Sequence, residues 1–278
     1  MKNIGMKLAA VALAFAASAT PALAGKGGSN GKIVEAVRSG SVDAIIAEVE
    51  RAEGLVCDEC MQTMINLTED NRLEVREVAA WWFAKRPGSK NIMVAQMKDD
   101  LKIGDATHVR NAADFVGYVR EYTALPELRA AIARGNLSTE AKLAIVRAVG
   151  YMAHLDGNGI LKTAMADADA TVRAAAVTAW RDVLGQVDAS PIVALLGDSD
   201  ANVRAQAAIV VGAYGEVGAR GALETLVTSD ANTYVRRNAA WALGKIGSAQ
   251  STQALTAATQ DASGLVSGYA KAALATLK

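Results

Sequence analysis

The chain is poor in the residues that usually do chemistry. It holds two cysteines, two histidines and three phenylalanines, and aromatic residues make up only 5% of it. So few aromatics argue against a β-sandwich core. Basic and acidic residues balance at 29 each, so no overall positive field exists to hold nucleic acid, and no Lys/Arg block supplies one locally. The histidines, His108 and His154, lie far apart and read as cap or surface residues. No Ser/His/Asp set, HExxH, P-loop or dinucleotide fingerprint occurs. Asp156-Gly157-Asn158-Gly159 resembles part of a calcium loop but lacks the alternating acids and closing glutamate, so it reads as a turn. The expectation is a non-enzyme with no catalytic residues, no metal site and no cofactor.

What the chain has is alanine, arranged periodically. A unit of about 31 residues recurs, clearest in DADATVRAAAVTAW from Asp167, DSDANVRAQAAIVV from Asp198 and SDANTYVRRNAAWAL from Ser229. The arginine of its Val-Arg pair serves as a reference point and falls at Arg76, Arg110, Arg173, Arg204 and Arg236. Lys142 fills the one wide gap and Ser267 marks a worn last copy, for about seven units. Each unit reads as two helices joined by an Asp/Asn/Ser cluster that turns the chain and caps the second helix. Gly150, Gly212 and Gly244 read as stops for the second helices, and Pro87 with Gly88 ends an earlier one. Valine precedes the reference residue at 75, 109, 172, 203, 235 and 266, and alanine follows it by three at 79, 113, 176, 207, 239 and 270. Val and Ala are one helical turn apart, so they share a face and predict the seam along which units stack. The reference arginines themselves are expected to bond acidic caps and carbonyls between units.

The pattern D-x-[DN]-x-x-V-R-x-x-A-A-x-x-[LW]-G, strongest over 167–247, resembles the short HEAT-like repeats of bacterial proteins, including the phycobilisome-lyase type. Weaker copies extend it over about 55–278. The resemblance implies an all-α solenoid with first helices on the convex side, second helices on the concave side and protein binding as its usual activity. Because a short repeat cannot bury its apolar face alone, copies must stack, and end copies are expected to be atypical.

The N-terminus reads as a secretory signal over 1–24. Lys2 and Lys7 precede an apolar run, and Ala22-Leu23-Ala24 supplies small residues for cleavage after Ala24. That run is too short to span a bilayer, and no other segment is a transmembrane candidate. Residues 25–31 read as a flexible leader, and 32–278 as the repeat solenoid with an atypical first unit. The mature protein is expected in the periplasm, where a bilin substrate would not be met.

Cys57 and Cys60 lie in that first unit, in Cys-Asp-Glu-Cys followed by Met61, so a c-type haem motif is absent. Outside the cytoplasm a pair this close is expected to form a disulfide. Buried thiols, or a redox or soft-metal site on one helix face with Met61 and Met64, are the alternatives. The aromatics are the other clue. Trp81, Phe115 and Trp241 stand five residues after a reference arginine, and Phe115, Tyr118 and Tyr122 form a helical stripe. These five are the candidate partner or ligand residues if they reach the inner face; otherwise they are core. The expected inner column is mixed, with Glu77, Asn111 and Arg237 beside the rings. The leading expectation is a binding scaffold for another exported protein. A carrier of an apolar lipid such as a sterol or hopanoid is the alternative, and a redox or metal helper acting through the cysteines is the third.

Overall fold

The structure is a computed structural model that describes residues 30–54 and 57–277. The expected signal segment and residues 25–29 of the expected leader lie outside these. Gly31, assigned to the leader above, already begins a helix. The described residues are helices and turns, without a strand, and they fall into two compact units meeting at residues 152 and 153.

The first unit contains α1 (Gly31–Ser39), α2 (Val42–Arg51), α3 (Cys60–Leu67), α4 (Leu73–Ala84), α5 (Pro87–Ile103), α6 (Ala106–Tyr118), α7 (Leu125–Ile132) and α8 (Thr139–Met152). The second contains α9 (Asn158–Met165), α10 (Ala170–Asp182), α11 (Ala201–Ala213), α12 (Arg220–Ser229), α13 (Thr233–Ile246), α14 (Thr252–Ala258) and α15 (Gly264–Leu274). Residues Ser190–Gly197 wind as a 3₁₀ helix. The Val-Arg pairs sit on second helices that pack side by side, α4 on α6 and α6 on α8 in the first unit, and α10 on α11, α11 on α13 and α13 on α15 in the second.

The predicted caps start these second helices. Asp105, Asp169, Asp200 and Asn232 each accept from a backbone N–H of the first turn of α6, α10, α11 and α13. The predicted seam is fully buried: Val75, Val109, Val172, Val203, Val235 and Val266, with the six alanines, are all 0% exposed. Ile145, which interrupts the alanine column, is buried too.

Two local readings need correction. The apolar stretch from Pro191 to Leu196 forms the 3₁₀ helix in place of a first α-helix. Three-residue winding brings i and i+3 onto one line, which suits a piece only eight residues long. The second helices end close to Gly150, Gly212 and Gly244, but these glycines are still helical and are not the left-handed stops. The left-handed residues that follow these helices are Ala153, Gly215 and Gly247, with φ of 51°, 63° and 70°. What Gly212 and Gly244 do is bring helices together. A Cβ on Gly212 would lie 2.7 Å from the Cα of Ala242, and one on Gly244 would lie 2.9 Å from the Cβ of Ala273. Gly117 meets Ala148 in the same way in the first unit, with 2.5 Å to the Ala148 Cα.

Arginine and aspartate close each step of the second unit. Arg204 donates from Nε and Nη2 to both carboxylate oxygens of Asp230, at 2.7 and 3.0 Å, and from Nη1 to the carbonyls of Asp198 and Ser199. Arg173 with Asp198 and Arg236 with Asp261 repeat this arrangement. The aspartates are six residues before a reference position. At the corresponding place in the first unit stands Gly104, so Arg76 lacks that partner and reaches instead to Asp114 on α6, at 2.6 and 3.0 Å.

Candidate binding site on the second helices

The first unit carries an aromatic cluster across three consecutive second helices. Tyr118 ends α6 and Tyr151 lies in the last turn of α8; their rings meet edge to face with centroids 6.4 Å apart. The Tyr151 hydroxyl donates to Glu77 Oε1 on α4 at 2.6 Å. Trp81 stands one turn beyond Glu77, half-buried, with Lys85 Nζ 5.4 Å from its ring centroid. Lys85 is itself paired with Glu53 at 3.1 Å. Tyr118, Arg120 and Tyr151 line an open cavity of about 400 Å³.

Both phenols are held protonated. Burial and the hydrogen bond to Glu77 push the Tyr151 hydroxyl up to about 12. Burial, with the negative charges of Glu77 and Glu50, pushes Tyr118 upward as well. The cluster therefore presents flat apolar faces and neutral phenols at physiological pH, with the Tyr151 proton already committed to Glu77.

One helical turn before these rings lies a charged group. Asp114, 3% exposed, accepts from Arg76 on Oδ2 and from Arg147 on Oδ1, the latter at 2.6 and 3.1 Å. A buried carboxylate is stable only when paired and fully bonded, and here two guanidinium groups do so from the helices on either side. The arrangement ties α4, α6 and α8 together one turn from Tyr118 and Tyr151.

Not every predicted residue is at this surface. Phe115 is 2% exposed, and its ring lies 5.8 Å from that of Phe83, so it belongs to the core rather than to an open inner face. It shares the register of Trp81 and Trp241, but the helix it faces, α4, fills that side with Phe83. Asn111, expected in the inner column, is 1% exposed and donates to Glu69 Oε2 at 2.7 Å. Tyr122 is exposed, on the short turn after α6 and outside the cavity lining. Tyr151, Arg147 and Asp114 were not foreseen. Their signal was the spacing of Tyr118 and Tyr151, one repeat apart at the ends of successive second helices.

In the second unit, Trp241 on α13 and Tyr269 on α15 flank a cavity of about 330 Å³, completed by Gly244, Lys245, Ala273 and Thr276 among others. One edge of the Trp241 ring rests over Gly212, which has no side chain to displace it.

Cys57 and Cys60 are at disulfide distance at the start of α3, and both are buried. His108 Nδ1 lies 2.8 Å from Asp105 Oδ1 and so braces the cap of α6. Among the described residues no group of three or more His, Cys, Asp or Glu is placed to hold a metal. No helix of the described residues is long and apolar enough to cross a membrane.

Residues 189–275 match the family model for HEAT repeats. No curated protein matches the sequence. Among solved structures, YibA of Escherichia coli is similar with a TM-score of 0.58 at 13% identity, over 89% of this chain and 92% of that one. An engineered protein aligns with a TM-score of 0.51 at 17% identity, over 84% and 70% of the two chains. A chain from the structure of Kap95p bound to RanGDP aligns with a TM-score of 0.53 at 15% identity; it covers 97% of this chain and 43% of that larger one. At such identities the likeness is one of fold. The chain has an all-α solenoid fold of the HEAT-like kind, and residues 189–275 match the HEAT-repeat model.

Proposed function

We propose that this is a non-catalytic binding protein that acts outside the cytoplasm and holds another polypeptide against its second helices. The observation that carries this reading is the Tyr118–Tyr151 pair. The rings stand outside the packed core, and one is oriented by Glu77 from a third helix. Amphipathic rings held rigidly on helices give large contact area at little entropic cost, as at protein interfaces. HEAT-like solenoids are typical protein-interaction scaffolds, and the paired cysteines are compatible with export. A lipid groove would need a continuous apolar lining. The burial of Phe115 removes one of its expected members, and both tyrosine hydroxyls lie beside the charge of Glu77.

Site-specific photocrosslinking in the native cell tests this. A benzophenone side chain at position 118 or 151 is expected to give discrete polypeptide adducts, while one at exposed Val217 gives none. Adducts that are lipid only, or equal labelling at all three positions, would overturn the reading. Amino-terminal sequencing of the same material checks export, with Gly25 expected as the first residue.

A further inference from the structure

The cavity between α13 and α15 is built differently from the tyrosine cluster of the first unit. Its walls are two rings, Trp241 and Tyr269, contributed by successive second helices. Its floor is the close approach of Gly244 to Ala273, where there is no side chain to fill the space. The Thr276 hydroxyl donates to backbone carbonyls of Gly244 and Ala273, so it adds no free donor. Lys245, one turn after Trp241, places its Nζ 5.7 Å from the Trp241 ring centroid. No carboxylate among the described residues pairs with it. Trp81 and Lys85 share the same spacing, yet Lys85 is neutralised by Glu53. Among the described residues, the second unit therefore keeps a lysine without an ion-pair partner at the mouth of an aromatic slot.

Size narrows the occupant. A volume of about 330 Å³ is at the small end for ligand pockets, enough for one flat group and not for a long acyl chain. Electrostatics narrows it again, since an unpaired ammonium beside apolar walls favours a carboxylate attached to a ring or branched apolar group.

We infer that this cavity takes the carboxyl-terminal residue of a polypeptide, with an apolar or aromatic side chain between Trp241 and Tyr269 and the terminal carboxylate on Lys245. The inference rests on the polypeptide-binding reading above and adds a partner class to it. The shared chemistry, a carboxylate beside a flat apolar group, is also found in free aromatic acids.

Calorimetric titration of the full chain with three probes tests it: a short peptide ending in phenylalanine with a free carboxylate, the same peptide as its amide, and 3-phenylpropanoate. The free-acid peptide is expected to bind at least tenfold more tightly than the amide. Lys245→Gln is expected to abolish that difference, and Lys245→Arg to keep it. Trp241→Ala and the more exposed Tyr269→Ala are each expected to weaken binding of the acid at least tenfold, with Tyr269→Ala leaving the thermal midpoint nearly unchanged. Equal affinity for acid and amide, or an unaffected difference in Lys245→Gln, would overturn the inference. If 3-phenylpropanoate binds as tightly as the peptide, the site is one for free aromatic acids and the polypeptide assignment falls. Position 118 and 151 adducts alongside a negative titration would sink this inference alone; loss of both sinks the binding reading too.

Discussion

At the scale of single residues, two side chains test the reading of the helix ends. The stop of α8 is Ala153, held at φ 51°, where Gly215 and Gly247 stand in equivalent positions. A side chain in the left-handed region costs about 1–2 kcal/mol, and glycine's extra freedom in the unfolded chain costs about 0.4–1 kcal/mol. Ala153→Gly is therefore expected to stabilise by about 0.5–1 kcal/mol in urea unfolding; a destabilised variant would mean that the methyl group has a packing role. His108 tests the cap of α6. Burial pulls its pKa down, but the bond to Asp105 and the charges of Glu69 and Asp100 outweigh that, so the net shift is upward. The sign follows. With the folded value raised, this contact contributes in full below the ordinary histidine pKa of about 6.5 and is lost as pH rises through the raised value. Proton NMR should give a His108 midpoint above 6.5, lowered in Asp105→Asn; a midpoint unchanged by that substitution would remove the pair from the account.

Helices set the next scale, and there the argument is about distance. Ala207 is fully buried in the seam, so Ala207→Leu should destabilise by roughly 1–3 kcal/mol through overpacking. Gly212→Ala is the sharper probe. One added methyl would sit 2.7 Å from the Ala242 Cα and 2.8 Å from Cζ3 of Trp241. Backbone cannot yield as a flexible side chain does, so this one-carbon change should cost at least as much as Ala207→Leu in thermal or urea unfolding. It should also shift the environment of Trp241, read by its fluorescence. A neutral Gly212→Ala would show that α11 and α13 do not approach this closely.

For the molecule as a whole, charge is the organising quantity despite a net of zero. Hydrogen bonds from Arg173 and Arg236 hold Asp198 and Asp261 below the usual carboxylate range. For Asp230 burial works the other way and is outweighed by Arg204. Lowered folded values mean that these contributions are present above the ordinary aspartate pKa of about 3.9 and disappear as pH falls through the folded values. The second unit should therefore lose stability steeply in acid. Asp230→Asn should cost about 1.5–3 kcal/mol at neutral pH, because Arg204 is left partly buried without its charged partner, and should flatten the acid slope. An unchanged slope in that variant would dissociate the ladder from acid unfolding.

Much of this was legible in the sequence, and the boundary of legibility is physical. Helix identity, cap placement and the Val/Ala seam follow from spacings of three and four residues, which are properties of a single helix. The repeat spacing likewise announced that arginines would bond between units. Which partner each arginine takes was decided in three dimensions: Gly104 stands where an aspartate was needed, so Arg76 turned to Asp114 on the neighbouring helix. Trp81, Phe115 and Trp241 occupy one sequence register, yet only Phe115 is core, because what covers a helix face is set by the adjoining helix and not by the period. Gly212 and Gly244 looked like helix ends and proved to be contact points, since a missing side chain permits a turn or a close approach alike, and only the neighbouring backbone decides between them.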